Sequence, residues 1–286
     1  MGRPRRLEQQ AGRYALVDGI PFELPVRSEQ TPALMAAFSI DPDAAARLLP
    51  GNELHPLRVW RKALLVVTVV NYQITNIGKY IEFSIAIACT HGSRPAPRVL
   101  PLLMQRTYGT GQYVYDLPVS TEISVKGGKG IWGMPKHQAN LDFLVDDERV
   151  SSQYDLDGQL AMRIDVRRPA SAWLPVSTRG TNYCAFRGML MASYIYFQGK
   201  LGLHFMRPGS ARLTIGSHPR VQPLKALGIE EQPLFAGFFP ETHGVLDDHF
   251  ECWFVSEERP PAAEMEGMRS VVDLGQSEQW LAPPKR

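Results

Sequence analysis

The run ALLVVTVV at residues 63–70 is eight residues long and dominated by β-branched side chains. Such side chains are stiff at χ1 and suit a pleated surface packed on both faces, so the run predicts a buried strand. It falls well short of the roughly 20 apolar residues that a helix needs to cross a bilayer. A second run of the same kind, YIEFSIAIACT at residues 80–90, follows after Asn76-Ile77-Gly78, which carries turn chemistry. Together they predict a hairpin with strands over residues 58–72 and 80–90.

The pattern continues along the chain. Residues 113–119, 138–145, 150–156 and 160–166 read as further short strands, with tight turns at Asp146-Asp147-Glu148-Arg149 and Asp157-Gly158. Residues 244–255 predict a final strand with Phe250, Cys252 and Phe254 on one face. Helix signals are sparse. Asp41 and Pro42 start a short helix that Pro50-Gly51 ends, and residues 219–228 read as a turn leading into another. Residues 184–198 fit either a buried helix or a strand pair. Short strands and hairpin turns without alternating βα units point to a mainly β, α+β chain: an antiparallel sheet or barrel with a few short helices. Neither a linker nor a long repeat divides the middle. We expect one domain over residues 21–256, a flexible arm over 1–20, and a tail over 257–286 with a docked helix near 262–271.

With 31 basic and 29 acidic residues the formal net charge is +2, which gives no electrostatic reason to expect nucleic acid or an anionic membrane as partner. Arg3, Arg5 and Arg6 form a short basic arm of the kind found at loose termini. The N-terminus lacks the apolar stretch of a secretory signal, so a cytoplasmic location is expected. Cys89, Cys184 and Cys252 are far apart and show no paired spacing, which fits reduced thiols rather than disulfides or a metal knuckle. His243 and His249, six apart, and His204 and His218, fourteen apart, do not form a His-x-x-x-His pair, so no metal site is expected. Neither a Gly-x-Ser-x-Gly elbow nor a dinucleotide fingerprint occurs, which argues against serine hydrolase and nicotinamide chemistry.

The segment Gly127-Gly128-Lys129-Gly130-Ile131-Trp132-Gly133-Met134-Pro135-Lys136-His137 carries the strongest chemical signal. A lysine with a reference pKa of about 10.4 is protonated and non-nucleophilic at neutral pH. Burial disfavours the ammonium, and the free amine can attack a ketone to form a Schiff base. Lys136, among glycines, large apolar side chains and a proline, is therefore a candidate nucleophile; the plainer alternative is a lysine at the edge of a strand. Trp132 and Met134 are expected to bury it and, with Tyr113, to contact substrate, although Trp132, Tyr113, Tyr115 and Phe143 are also ordinary core aromatics. Lys126 and Lys129, among glycines, fit a flexible basic hairpin tip and lack the spacing of a phosphate-binding loop. Glu82 interrupts an otherwise apolar strand. Burying an unpaired charge costs several kcal/mol, so Glu82 belongs either to a solvated face or to a site.

Leu117-Pro118-Val119-Ser120-Thr121-Glu122 followed by Lys129-Gly130-Ile131-Trp132-Gly133-Met134-Pro135-Lys136 resembles the active-site segment of the acetoacetate decarboxylase superfamily. A second similar segment, Ala211-Arg212-Leu213-Thr214-Ile215-Gly216-Ser217-His218-Pro219 with residues 224–228, follows in the same order, and the resemblance spans roughly residues 30–256. It implies a barrel of that family's type, Lys136 as the Schiff-base lysine, Glu82 as a pocket carboxylate, no cofactor, a small keto acid as substrate and a homo-oligomer. His137 departs from the pattern, since the decarboxylases of the family carry a second lysine there whose charge tunes its neighbour. An imidazole, with a reference pKa of about 6.5, is mostly neutral near pH 7 and is instead a candidate proton shuttle. Adjacent strand residues point to opposite faces, however, which argues against His137 reaching the substrate. A second pocket glutamate and an arginine are also unmatched: Val66-Val67-Thr68 and Thr31 occupy those regions, and Arg27 is near but out of register. The expected activity is decarboxylation of a β-keto acid or a related 2-oxo acid through Lys136. The alternatives are a pyruvate-type aldolase-dehydratase using the same lysine and a non-catalytic barrel that binds a small molecule.

Overall fold

The computed structural model describes Leu7 and residues 12–256. Ala63–Tyr72 and Tyr80–His91 form the expected antiparallel hairpin, in register from Leu65↔Ile87 to Tyr72↔Tyr80. The first strand begins at Ala63 rather than residue 58 because Val59 and Lys62 close a turn in which Trp60 takes φ +56°. On one side Tyr80–His91 pairs with Gly111–Val119. On the other, Ala63–Tyr72 pairs with Ala33–Ile40, then come Pro233–Phe239, Met189–Phe205 and Leu174–Phe186 in turn. Asn182 and Tyr183 of that last strand pair in parallel with Gln112 and Tyr113. The sheet therefore closes on itself as a barrel, and the protein has the mainly β fold expected.

A second, five-stranded sheet, built mainly on Arg149–Leu156, Gln159–Arg167 and Ala211–Ile215, covers one flank. The main core lies between the layers: Leu65, Val67, Val69, Phe83, Ile85 and Ile87 of the barrel meet Tyr154, Met162 and Ile164 of the second sheet. Alternate residues of the same strand, Leu64, Val66, Thr68 and Val70, face a cavity inside the barrel. A strand enclosed on both faces has no solvated face to show, which explains why residues 63–70 are apolar apart from Thr68.

The helix at Pro42–Ala46 is capped by Asp41, whose carboxylate accepts from the N–H groups of Asp43 and Ala44. Pro219–Leu227 is a 3₁₀ helix rather than an α-helix. Residues 184–198 resolve as part of a long hairpin, Leu174–Phe186 and Met189–Phe205, which turns at Arg187-Gly188 with φ +51° and +75°. The expected strand over residues 138–145 is broken into Lys136–Gln138, Asn140–Leu141 and Leu144–Val145. The arm expected to be irregular to residue 20 contains the hairpin Tyr14–Val17 and Ile20–Glu23. The final strand, Thr242–Phe254, forms as expected, and Cys252 and Phe254 on its shared face are exposed. Cys89 and Cys184 are buried, and all three thiols are free. Among the described residues no helix is long and apolar enough to cross a membrane. The expected tail helix near 262–271 and the Arg3, Arg5 and Arg6 arm lie outside the described residues.

Candidate active site

The glycine-rich segment is a helix, Glu122–Trp132, and not the hairpin tip its composition predicts. Its end sets the site. Gly133 takes a left-handed conformation (φ +61°), its N–H bonds Lys129 O, and the Met134 N–H bonds Gly128 O. The chain reverses there and runs back along the helix, so that Lys136–Gln138 pairs in parallel with Leu117–Val119. Gly128 faces the returning lysine so closely that a Cβ there would lie 2.4 Å from Lys136 Cδ and 2.7 Å from its Cε. Gly127 and Gly130 accommodate Phe22 and Val17 in the same way. Each glycine costs the helix about 1 kcal/mol relative to alanine, and what it gains is close approach.

Lys136 is 4% exposed and its side chain enters the barrel. Its Nζ donates to Ser124 Oγ at 3.0 Å and lies 2.7 Å from Glu82 Oε2. The ammonium also sits 5.3 Å from the centroid of the Tyr80 ring. Tyr80, Glu82 and Ser84, alternate residues of one strand, all face the same cavity. Tyr72 stacks on Tyr80 with ring centroids 4.4 Å apart. The Tyr72 and Tyr80 phenols lie near enough to Glu82 to feel its charge. Burial first, and then the charge of Glu82, push both phenols well above their usual range, so they stay neutral at physiological pH.

These groups lie at one end of a cavity of about 430 Å³. The ammonium and carboxylate neutralise each other, which offsets their removal from water. Among the described residues lining the cavity the other cation is Arg179, and its guanidinium stacks over the Tyr194 ring at 4.7 Å. The lining is otherwise apolar side chains, hydroxyls and amides.

Of the residues singled out by sequence, Lys136, Glu82 and Met134 line the cavity. Trp132 does not. It is 2% exposed, packs with Leu117, Met134 and Cys184, and donates from Nε1 to Asp247 O at 3.1 Å. Tyr113 packs against the main core while its neighbours Gln112 and Val114 face the cavity. His137 points away from Lys136, with Nε2 3.0 Å from the Tyr154 hydroxyl and Nδ1 3.5 Å from Asp116 Oδ1. Asp116 in turn accepts from Arg220 Nε at 2.7 Å and from the Tyr154 hydroxyl at 3.2 Å. Trp132, Tyr113 and His137, expected at the substrate, are not among the residues that line the cavity: strand alternation turns Tyr113 and His137 to the other face. Thr31, Val66 and Thr68 do line the cavity, so the positions without the family's charged groups are occupied by uncharged side chains.

Ser124, Tyr80 and Tyr72 were missed. Tyr80 could have been found from its position two residues before Glu82, and Tyr72 from the hairpin that sets it opposite Tyr80. Ser124 carries no local signal, because only the reversal at Gly133 brings it to the lysine.

Known proteins place this geometry in context. The family model described as acetoacetate decarboxylase (ADC) matches residues 13–246. None of the curated proteins matches the sequence. Among solved structures, the acetoacetate decarboxylase from Legionella pneumophila subsp. pneumophila str. Philadelphia 1 is similar at TM-score 0.56 and 15% identity, over 86% of this chain and 90% of its own. The enduracididine biosynthesis enzyme MppR complexed with pyruvate is similar at TM-score 0.60 and 15% identity, over 82% of this chain and 92% of its own. MppR complexed with the condensation product of pyruvate and imidazole 4-carboxaldehyde is similar at TM-score 0.54 and 16% identity, over 81% and 90%. At these identities the likeness to the solved structures is one of fold.

Proposed function

Because the chain belongs to the acetoacetate decarboxylase (ADC) family, we propose that it is a Schiff-base lyase in which Lys136 attacks the ketone of a β-keto acid and drives its decarboxylation. The observation that carries this reading is the Lys136 amine itself, buried at the end of a cavity and held 2.7 Å from Glu82 and 3.0 Å from Ser124. Glu82 is placed to take the ammonium proton, which frees the amine to add to the carbonyl. The same proton, returned by Glu82, lets the carbinolamine oxygen leave as water and leaves a protonated imine. The electrons of the bond to the carboxylate then flow to the imine nitrogen, carbon dioxide departs, and an enamine remains. Protonation at carbon and hydrolysis release the ketone and restore the lysine.

The lining favours loss of the carboxylate over its retention. With Arg179 stacked on Tyr194 and uncharged Thr31, Val66 and Thr68 in the wall, a bound carboxylate has little besides Lys136 to pair with. An ill-paired carboxylate in an apolar site is costly, and its conversion to neutral carbon dioxide relieves that cost. A second reading is an aldolase-dehydratase acting on a pyruvate-type acid, in which Glu82 would remove a carbon-bound proton from the imine. It is supported by the likeness to MppR with pyruvate and with a condensation product. A homo-oligomer and a cytoplasmic location belong to the same proposal, the first testable by light scattering.

Borohydride trapping with acetoacetate and with pyruvate, read by intact mass, tests the proposal. The expected result is a single adduct on the wild type and none on Lys136→Ala. An absent adduct, or one unchanged in Lys136→Ala, would leave a non-catalytic binding barrel. Carbon dioxide release measured against aldol product then separates the two enzyme readings.

A further inference from the structure

The cavity continues well past the lysine. Glu82 and Ala88 lie six residues apart on one strand and both line it, as do Val70 and Leu64 on the neighbouring strand. At about 3.3 Å per residue each pair spans about 20 Å along the barrel wall. The volume of about 430 Å³ is within the range of sites that enclose ligands much larger than a four-carbon acid.

The wall between the two ends offers little to a charged group. Leu34, Val66, Ile195, Phe235 and Phe239 supply apolar surface. The hydroxyls of Thr31 and Thr242 donate to backbone carbonyls, those of Glu29 and Thr31, at 3.0 and 2.8 Å. At the far end Gln112 Nε2 donates to Asn182 Oδ1 at 2.9 Å, so the groups there are neutral amides, bonded to each other. Charge in the cavity thus lies at the Lys136–Glu82 pair and at Arg179, whose guanidinium is stacked over the Tyr194 ring, and the remaining length suits hydrocarbon.

We propose that the substrate is a β-keto acid with an extended, uncharged apolar tail: its ketone is at Lys136 and its tail runs along the barrel towards Ala88 and Gln112. This rests on the Schiff-base reading above. Decarboxylation of such an acid breaks the bond to the carboxylate and yields carbon dioxide and a methyl ketone with the tail intact. The reaction class that supplies the substrate must then be one that builds or oxidises acyl chains to the β-keto level.

Borohydride trapping across acetoacetate, β-ketohexanoate, β-ketooctanoate and β-ketodecanoate tests the tail. The half-saturating concentration is expected to fall by up to about fourfold per methylene, levelling off once the tail reaches the far end. A flat series, or one that weakens with length, would overturn the proposal. Filling the far end by Ala88→Leu or, separately, Leu64→Phe is expected to abolish most of the long-to-short preference. An unchanged preference in both folded variants would also overturn it. Calorimetry of Lys136→Met with a homologous series of methyl ketones tests the cavity without any covalent step. Tightening with chain length there supports the tail even where trapping fails throughout, and trapping failure in the wild type alone would sink only the Schiff-base reading. Binding that does not depend on length in Lys136→Met would count against the tail.

Discussion

Lys136 Nζ lies 2.7 Å from Glu82 Oε2, with 5% and 15% of the two side chains exposed. The pair ties the short strand after the helix reversal to the central hairpin of the barrel, across the strand Gly111–Val119 that separates them. Either charge alone at this depth would be expensive; together they form a neutral unit that can pass one proton between its members.

Glu82→Gln keeps the shape and removes the proton acceptor. Turnover is expected to fall by about 10²–10⁴-fold, the usual contribution of a placed general base. Carbon dioxide release and thermal unfolding, measured side by side, check this. Unchanged turnover in a folded variant would remove Glu82 from the proposed mechanism.

Gly128→Ala sets helix propensity against the site. An alanine in mid-helix ordinarily gains about 1 kcal/mol over glycine. Here the new Cβ would stand 2.4 Å from Lys136 Cδ, so the lysine must shift. We expect adduct formation to slow by about 10²-fold, as for an ångström-scale misplacement of a reacting group. Trapping kinetics and urea unfolding separate this from general destabilisation.

His137 stands between Tyr154 and Asp116, on the face away from the cavity. His137→Ala is expected to cost about 1–3 kcal/mol, because buried polar partners lose a contact. His137→Lys is expected to leave the pH dependence of adduct formation as it is. A displaced pH profile in His137→Lys would show that the adjacent position does act on the amine.

Alkaline pH is expected to destabilise the barrel in a defined window. Burial pushes the Cys184 thiol from 9.0 up to about 12, and holds Tyr72 and Tyr80 well above 10.0. In the unfolded chain these groups ionise near their ordinary values while the folded ones stay neutral. The stability they contribute is complete below about pH 9 and is lost progressively as pH rises through 12. Unfolding midpoints recorded from pH 8 to 11 should decline accordingly. At pH 8 a thiol reagent should react quickly with exposed Cys252, while buried Cys89 and Cys184 stay protected.

Lys136 and Glu82 were legible because each places a charge where the surrounding residues are apolar or glycine, an anomaly visible in the chain itself. The helix Glu122–Trp132 was not. Local propensity reads Gly127, Gly128 and Gly130 as a turn, and the contacts that override it come from Lys136, Phe22 and Val17. Tyr113 and Trp132 were misplaced for another reason. Tyr113 lies on a strand buried on both sides, and Trp132 ends a helix packed against Leu117 and Cys184, so an aromatic side chain alone does not say whether it looks into the cavity or into the core.

Taken by itself, the sequence determined the mainly β class, the central hairpin, the lysine segment as the chemical candidate and the family to which the chain belongs. These rest on short-range matters: χ1 stiffness, turn residues and the spacing of a motif. Only the tertiary structure decided that Asn182 and Tyr183 close the barrel against Gln112 and Tyr113. It alone decided that Ser124 and Tyr80 meet the amine with Tyr72 stacked on Tyr80, and that His137 turns away from it. Hydrophobic burial has no direction, so the sequence can say that a side chain is inside without saying on which side of the strand that inside lies.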